Sequence, residues 1–251
     1  MQLRRVFGSV VAVGAAVAMA ASVTACGTSD DAGSDAHTVR VMAAASLVDV
    51  MDPLTEAYRG DHSGAQVQVD AAASSALVQR LKSGAQADVL ITADTKTMAD
   101  AVAAGVAKDP VTVATNKLVI VVPKGNPGKV TGLDYFTRAG NRSVICASEV
   151  PCGRAAEKAI TAAGGQPKPL SRAVDVRAAL GSVTSGEADA ALVYATNATS
   201  AGDKVATVEI PNAPVVEYPA AALTDGGKDF VNLLTSDQGK KILTDAGFGL
   251  K

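Results

Sequence analysis

Val41-Met42-Ala43-Ala44-Ala45-Ser46 and, 28 positions later, Val69-Asp70-Ala71-Ala72-Ala73-Ser74-Ser75 decide how this chain folds. Each is an apolar strand that runs out into small residues and then a serine, where a helix begins. Such a turn leaves a hydroxyl and unpaired backbone N–H groups at a helix N-terminus, where partial positive charge gathers and anions bind. The alanines keep the approach to the backbone open. Two such turns in one α/β pattern point to an uncharged cradle for an oxyanion.

Outward from these turns, short β-branched runs alternate with amphipathic segments. Strands are expected at Val39–Met42, Val67–Asp70, Val89–Thr92, Leu118–Val122, Val144–Cys146, Ala190–Tyr194, Val205–Ile210 and Val215–Ala222. Most are almost continuously apolar, as in strands buried on both faces. Leu47, Val50, Met51, Leu54 and Tyr58 recur at helical spacing, as do Leu77, Val78 and Leu81, and then Met98 and Val102 before Gly105. Further helices are expected at Arg154–Ala163, Val176–Ser185, Lys228–Leu234 and near Gln238–Ala246. The alternation predicts a mostly parallel sheet with right-handed crossovers. Leu118–Val122, followed by the turn-rich Pro123-Lys124-Gly125-Asn126-Pro127-Gly128, reads as a crossover, and Val215–Ala222 as the return. Two lobes are therefore expected: residues 38–116 with 212–251, and residues 117–211.

Residues 1–25 read as a signal peptide. Arg4 and Arg5 precede an apolar stretch from Val10 to Ala21, too short to span a bilayer. Val23-Thr24-Ala25-Cys26 has the pattern of a lipoprotein cleavage site, with Cys26 as the lipidated residue. Residues 26–37, rich in Gly, Ser and Asp, read as a tether. The expected address is the extracytoplasmic face of the cell membrane, held by lipid.

Composition narrows the partners. Loss of Arg4 and Arg5 with the leader takes Lys+Arg from 23 to 21 against 25 Asp+Glu, a net charge of −4, and no basic run offers itself to nucleic acid. The chain has no Trp, four Phe and four Tyr, which counts against stacking carbohydrate or quaternary ammonium groups on aromatic faces. His37 and His62 are the only histidines, no G-x-S-x-G elbow or P-loop occurs, and little remains from which to build an enzyme. Cys146 and Cys152, six residues apart in an oxidising compartment, suit a disulfide that stiffens the loop ending at Cys152-Gly153. The opposing reading is two unbridged thiols, with Cys152 as a nucleophile in a lipoprotein enzyme.

The segments Ala43-Ala44-Ala45-Ser46-Leu47, Ala72-Ala73-Ser74-Ser75-Ala76-Leu77, Ala87-Asp88-Val89-Leu90-Ile91-Thr92-Ala93-Asp94, Val150-Pro151-Cys152-Gly153, Asp175-Val176-Arg177-Ala178-Ala179-Leu180 and Leu192-Val193-Tyr194 stand in one order. Together they resemble the molybdate-binding proteins of ABC importers over about residues 38–251. The resemblance implies an α/β, two-lobed class II periplasmic-binding-protein fold with its ligand in the interlobe cleft. It also implies no catalysis, no cofactor, a monomer, and an ABC permease as partner. Molybdate or tungstate would be held as an oxyanion, without direct metal ligands. Ser46 and Ser74 would donate from hydroxyl and backbone N–H, Cys152 and Val176 from backbone N–H, and Tyr194 from its phenol. The family commonly has alanine where this chain has Cys152.

A site that offers only donors takes a fully deprotonated dianion and penalises hydrogen phosphate, whose proton meets no acceptor. Sulfate is the rival ligand, to be separated by size. Each residue also has a purely structural reading. Ser46 with Asp49 forms a capping-box pattern, Ser74 or Ser75 suits an N-cap, Asp94 and Asp175 cap the helices after them, and Tyr194 suits the core.

Overall fold

A computed structural model describes residues 38–251. The signal segment, the lipidation site Cys26 and the tether lie outside the described residues.

The first strand, β1 (Thr38–Ala44), is flanked in parallel by β2 (Gln66–Ala72) and β3 (Val89–Ile91), with Val41 opposite Val69 on one side and Val89 on the other. The long strand β4 (Val111–Pro123) carries the chain onward. Its first half, to Lys117, pairs antiparallel with β9 (Val215–Ala222), which in turn pairs antiparallel with β3. From Leu118 its partners change to β7 (Ala190–Tyr194) and β8 (Val205–Val208), both antiparallel. β5 (Ser143–Cys146) then lies parallel to β7 and to β6 (Ser171–Ala173). Hydrogen bonding thus runs through β4 from one group of strands to the other.

Helices cover these strands: α1 (Val48–Asp61), α2 (Ser74–Lys82), α3 (Thr95–Ala103), α4 (Pro151–Ala162), α5 (Val176–Thr184), α6 (Ala195–Ala201), α7 (Lys228–Thr235) and α8 (Asp237–Asp245). The helical spacing in α1 is realised, with Val50, Met51, Leu54 and Tyr58 all buried. One large core runs through Leu118–Val122, which touch apolar side chains from both groups of strands. A second cluster around Leu77, Leu81, Leu90 and Met98 seals α2 and α3 against β1 and β3. Each fully buried aliphatic side chain contributes roughly 1.5–3 kcal/mol.

Three expectations need correction. The sheet is mixed rather than mostly parallel, because β4 and β9 run antiparallel to their neighbours wherever the chain crosses between the groups and returns. β4 begins at Val111, seven residues earlier than expected, since Val111–Lys117 is only half-buried and reads as a polar, broken pattern. The sequence reading also omits β6 and α6. β6 has three residues and no buried face, and α6 is built from Ala, Thr, Asn and Ser without an apolar stripe.

Candidate functional site

Four helix starts meet at one small cavity. The strand ends of β1, β2, β5 and β6 deliver, in turn, the 3₁₀ turn Ala45–Leu47 leading into α1, and the first residues of α2, α4 and α5. Ser46, Ser74, Cys152 and Val176 all line this cavity, and Tyr194, at the end of β7, completes its wall. All five expected residues are thus brought together. The cavity is small and lined mostly by alanines, serines and other small residues.

The backbone supplies donors because the first N–H groups of a helix have no carbonyl within it. In α4 the N–H groups of Gly153 and Arg154 turn back to the Val150 carbonyl at 3.1 Å, Pro151 has none, and Cys152 lies between them in the cavity lining. In α5 the Asp175 carboxylate caps by accepting from the Ala178 N–H at 2.9 Å, and the Val176 N–H lies ahead of it. Asp94 likewise caps α3, accepting from the Thr97 N–H at 2.9 Å. These two caps follow the structural reading of the sequence.

The serines do not cap. No side-chain cap bond forms at the start of α1 or α2. Instead Ser74 Oγ accepts the Ala93 N–H at 3.0 Å, which leaves its own hydrogen free to donate. Ser46 Oγ lies 2.8 Å from the Tyr218 hydroxyl. Asp49 turns away from the expected capping box and binds Arg177 at 2.9 Å and Ser200 at 2.8 Å. The Tyr194 hydroxyl is buried with no partner among the described residues. A buried hydroxyl left unpaired costs about 1–3 kcal/mol, which an acceptor in the cavity recovers.

The wall carries no lysine or arginine. Burial holds the Tyr194 phenol well above the usual tyrosine range, with Tyr218 and Asp94 adding to the rise and Arg154 opposing it. It therefore remains a protonated donor at neutral pH. Cys152 is bonded to Cys146, their Cα atoms 5.6 Å apart, so it has no thiolate to act as a nucleophile. Gly153 permits this closeness, since a Cβ there would fall 1.8 Å from the Ala147 carbonyl oxygen. His62 stacks on Tyr58 at a ring separation of 4.2 Å, away from the cavity. Among the described residues no group of three or more His, Cys, Asp or Glu is placed to hold a metal ion. The sequence reading misses Tyr218, which lies 172 positions from Ser46.

Two groups of strands joined through one long strand, with helix N-termini turned onto a shared cavity, define a solute-binding protein. The chain belongs to the bacterial extracellular solute-binding proteins, a family that matches residues 39–249. It is therefore an extracytoplasmic receptor and not an enzyme. It is similar to molybdate-binding protein ModA of Mycobacterium tuberculosis, 36% identical over 244 residues covering 92% of this chain and 94% of the relative. The periplasmic molybdate-binding protein of Azotobacter vinelandii shares the fold, with a TM-score of 0.71 and 21% identity over 85% of this chain and 99% of that one. The sulfate-binding protein SubI of Mycobacterium tuberculosis shares it too, with a TM-score of 0.75 and 20% identity over 84% and 86%. The resemblance to the molybdate-binding proteins and the expected periplasmic-binding fold are both upheld.

Proposed function

We propose that this chain captures molybdate, and tungstate with it, in the cavity and delivers it to an ABC permease. The observation that carries this reading is the donor-rich wall formed by Ser46, Ser74, Cys152, Val176 and Tyr194, in which the one charged residue, Asp175, has its carboxylate engaged in capping α5. A dianion stripped of water needs several donors, or desolvation defeats binding. Uncharged donors at helix N-termini supply them without a counter-ion. A donor-rich wall favours fully deprotonated dianions over hydrogen phosphate, and sulfate is the competing dianion. The 36% identity to the mycobacterial molybdate-binding protein favours molybdate over sulfate, since the sulfate-binding neighbour shares only the fold.

The proposed lobes are residues 38–116 with 212–251, and residues 117–211; the change of β4 partners between Lys117 and Leu118 supports the first boundary. Anion binding favours the closed arrangement, which presents a joint surface to the permease. The receptor works as a monomer, anchored to the cell membrane by lipid on Cys26. Calorimetric titration with molybdate tests the site. Ser46→Ala and Ser74→Ala should each weaken binding more than tenfold while leaving the fold intact, and unchanged affinity in both variants would place the anion elsewhere.

A further inference from the structure

We infer that Tyr218 is a positioning residue for the anion: its phenol donates to Ser46 Oγ and so turns the Ser46 hydroxyl hydrogen into the cavity. The inference rests on the oxyanion reading of the site. The 2.8 Å contact between the two hydroxyls has room for one hydrogen. If Ser46 donated to Tyr218, it would show the cavity a lone pair and repel an anion. If Tyr218 donates, Ser46 Oγ has its lone pair satisfied and its hydrogen free, as Ser74 has through the Ala93 N–H. Both serines are then set as donors by groups behind the wall.

The surroundings hold the phenol in that role. Tyr218 lies on β9, is fully buried, and its ring meets Phe248 edge-on at 5.4 Å and Tyr194 at 6.1 Å. The one ring thus braces the Tyr194 phenol and directs Ser46. Burial, the largest influence on it, pushes Tyr218 above the usual tyrosine range. The phenol therefore keeps its proton throughout the physiological range. Asn116 stands where β4 changes partners, and its amide donates to Thr196 Oγ1 at 2.9 Å.

A double-mutant cycle on the full chain tests this, by calorimetric titration with sodium molybdate. Tyr218→Phe keeps the ring and removes the hydroxyl. It should weaken binding about tenfold in the parent and in the Ser74→Ala background, the order expected for one hydrogen bond to a charged group. In the Ser46→Ala background it should change affinity less than twofold. A structural role alone would give the same loss in every background, and that result, or parent-like binding by Tyr218→Phe, overturns the inference. If the parent itself binds none of molybdate, tungstate and sulfate, the oxyanion reading fails and takes the inference with it.

Discussion

Arg154 on α4 grips Asp94 at the start of α3, donating from Nε at 2.8 Å and from Nη2 at 2.6 Å to the same carboxylate oxygen. The Arg154 side chain is 25% exposed and that of Asp94 16%, so the pair is largely shielded. Nη2 also reaches Thr97 Oγ1 at 2.7 Å. The pair ties an element of one strand group to an element of the other, beside the Cys152 N–H. A bond made only in the closed arrangement adds its free energy to ligand affinity.

Arg154→Met should therefore weaken molybdate binding about fivefold, equivalent to about 1 kcal/mol. The pair between Asp49 and Arg177 spans the same two groups, but its side chains are 40% and 46% exposed. Asp49→Asn should cost twofold or less, and raised salt should erase the difference from the parent. Titration calorimetry at low and high ionic strength separates the two pairs.

Alkaline pH should unfold the parent more readily than a variant lacking a buried phenol. Tyr194 and Tyr218 are both held above their unfolded value by burial. The folded chain therefore keeps protons that the unfolded chain loses once pH passes about 10. Stability is intact below that pH and falls as pH rises, by up to about 1.4 kcal/mol per unit for each phenol. Thermal unfolding from pH 8 to 11 should show a shallower decline for Tyr218→Phe than for the parent. Parallel declines would contradict the buried, protonated phenol.

Reduction should act on binding through position. The Cys146–Cys152 bond fastens the end of β5 to the second residue of α4, which lines the cavity. Closing so short a loop stabilises the fold by about 2 kcal/mol on chain-entropy grounds. Cys146→Ala/Cys152→Ala should lower the unfolding temperature by about 5 °C. Its affinity for molybdate should fall severalfold, since the backbone donor survives but is less firmly placed. Calorimetry beside thermal unfolding reads both effects.

Cys26→Ala should move the protein from the membrane fraction to the medium, since the anchor proposed for it depends on that thiol. Metabolic labelling with a fatty acid should mark the parent and not the variant. Labelling of both would place the anchor at another residue.

The site was more legible in the sequence than the structure behind it. Ser46 and Ser74 follow local signals, an apolar run, small residues, then a helix start, whereas Cys152, Val176 and Tyr194 came with the family resemblance. The same locality misread Asp49, whose partner Arg177 lies 128 positions away, so a capping box was the nearest available explanation. Tyr218 looked like one more apolar residue in Val215–Ala222, because only the closed fold brings its hydroxyl to Ser46. β4 hid its first half in the mixed run Val111–Lys117, where burial alternates irregularly around a bulge. Periodicity reports which face is buried and says nothing of a partner across the molecule.

Thermal unfolding of the full chain with excess molybdate, tungstate, sulfate or phosphate, at matched ionic strength, tests the central claim most directly. At a hundredfold its dissociation constant, a ligand of the folded state adds about 2.7 kcal/mol, a rise of several degrees. The expected result is that rise with molybdate and tungstate, a smaller one with sulfate, and none with phosphate. A flat response to all four, or a phosphate response equal to that of molybdate, would contradict a donor-rich site for oxyanion dianions.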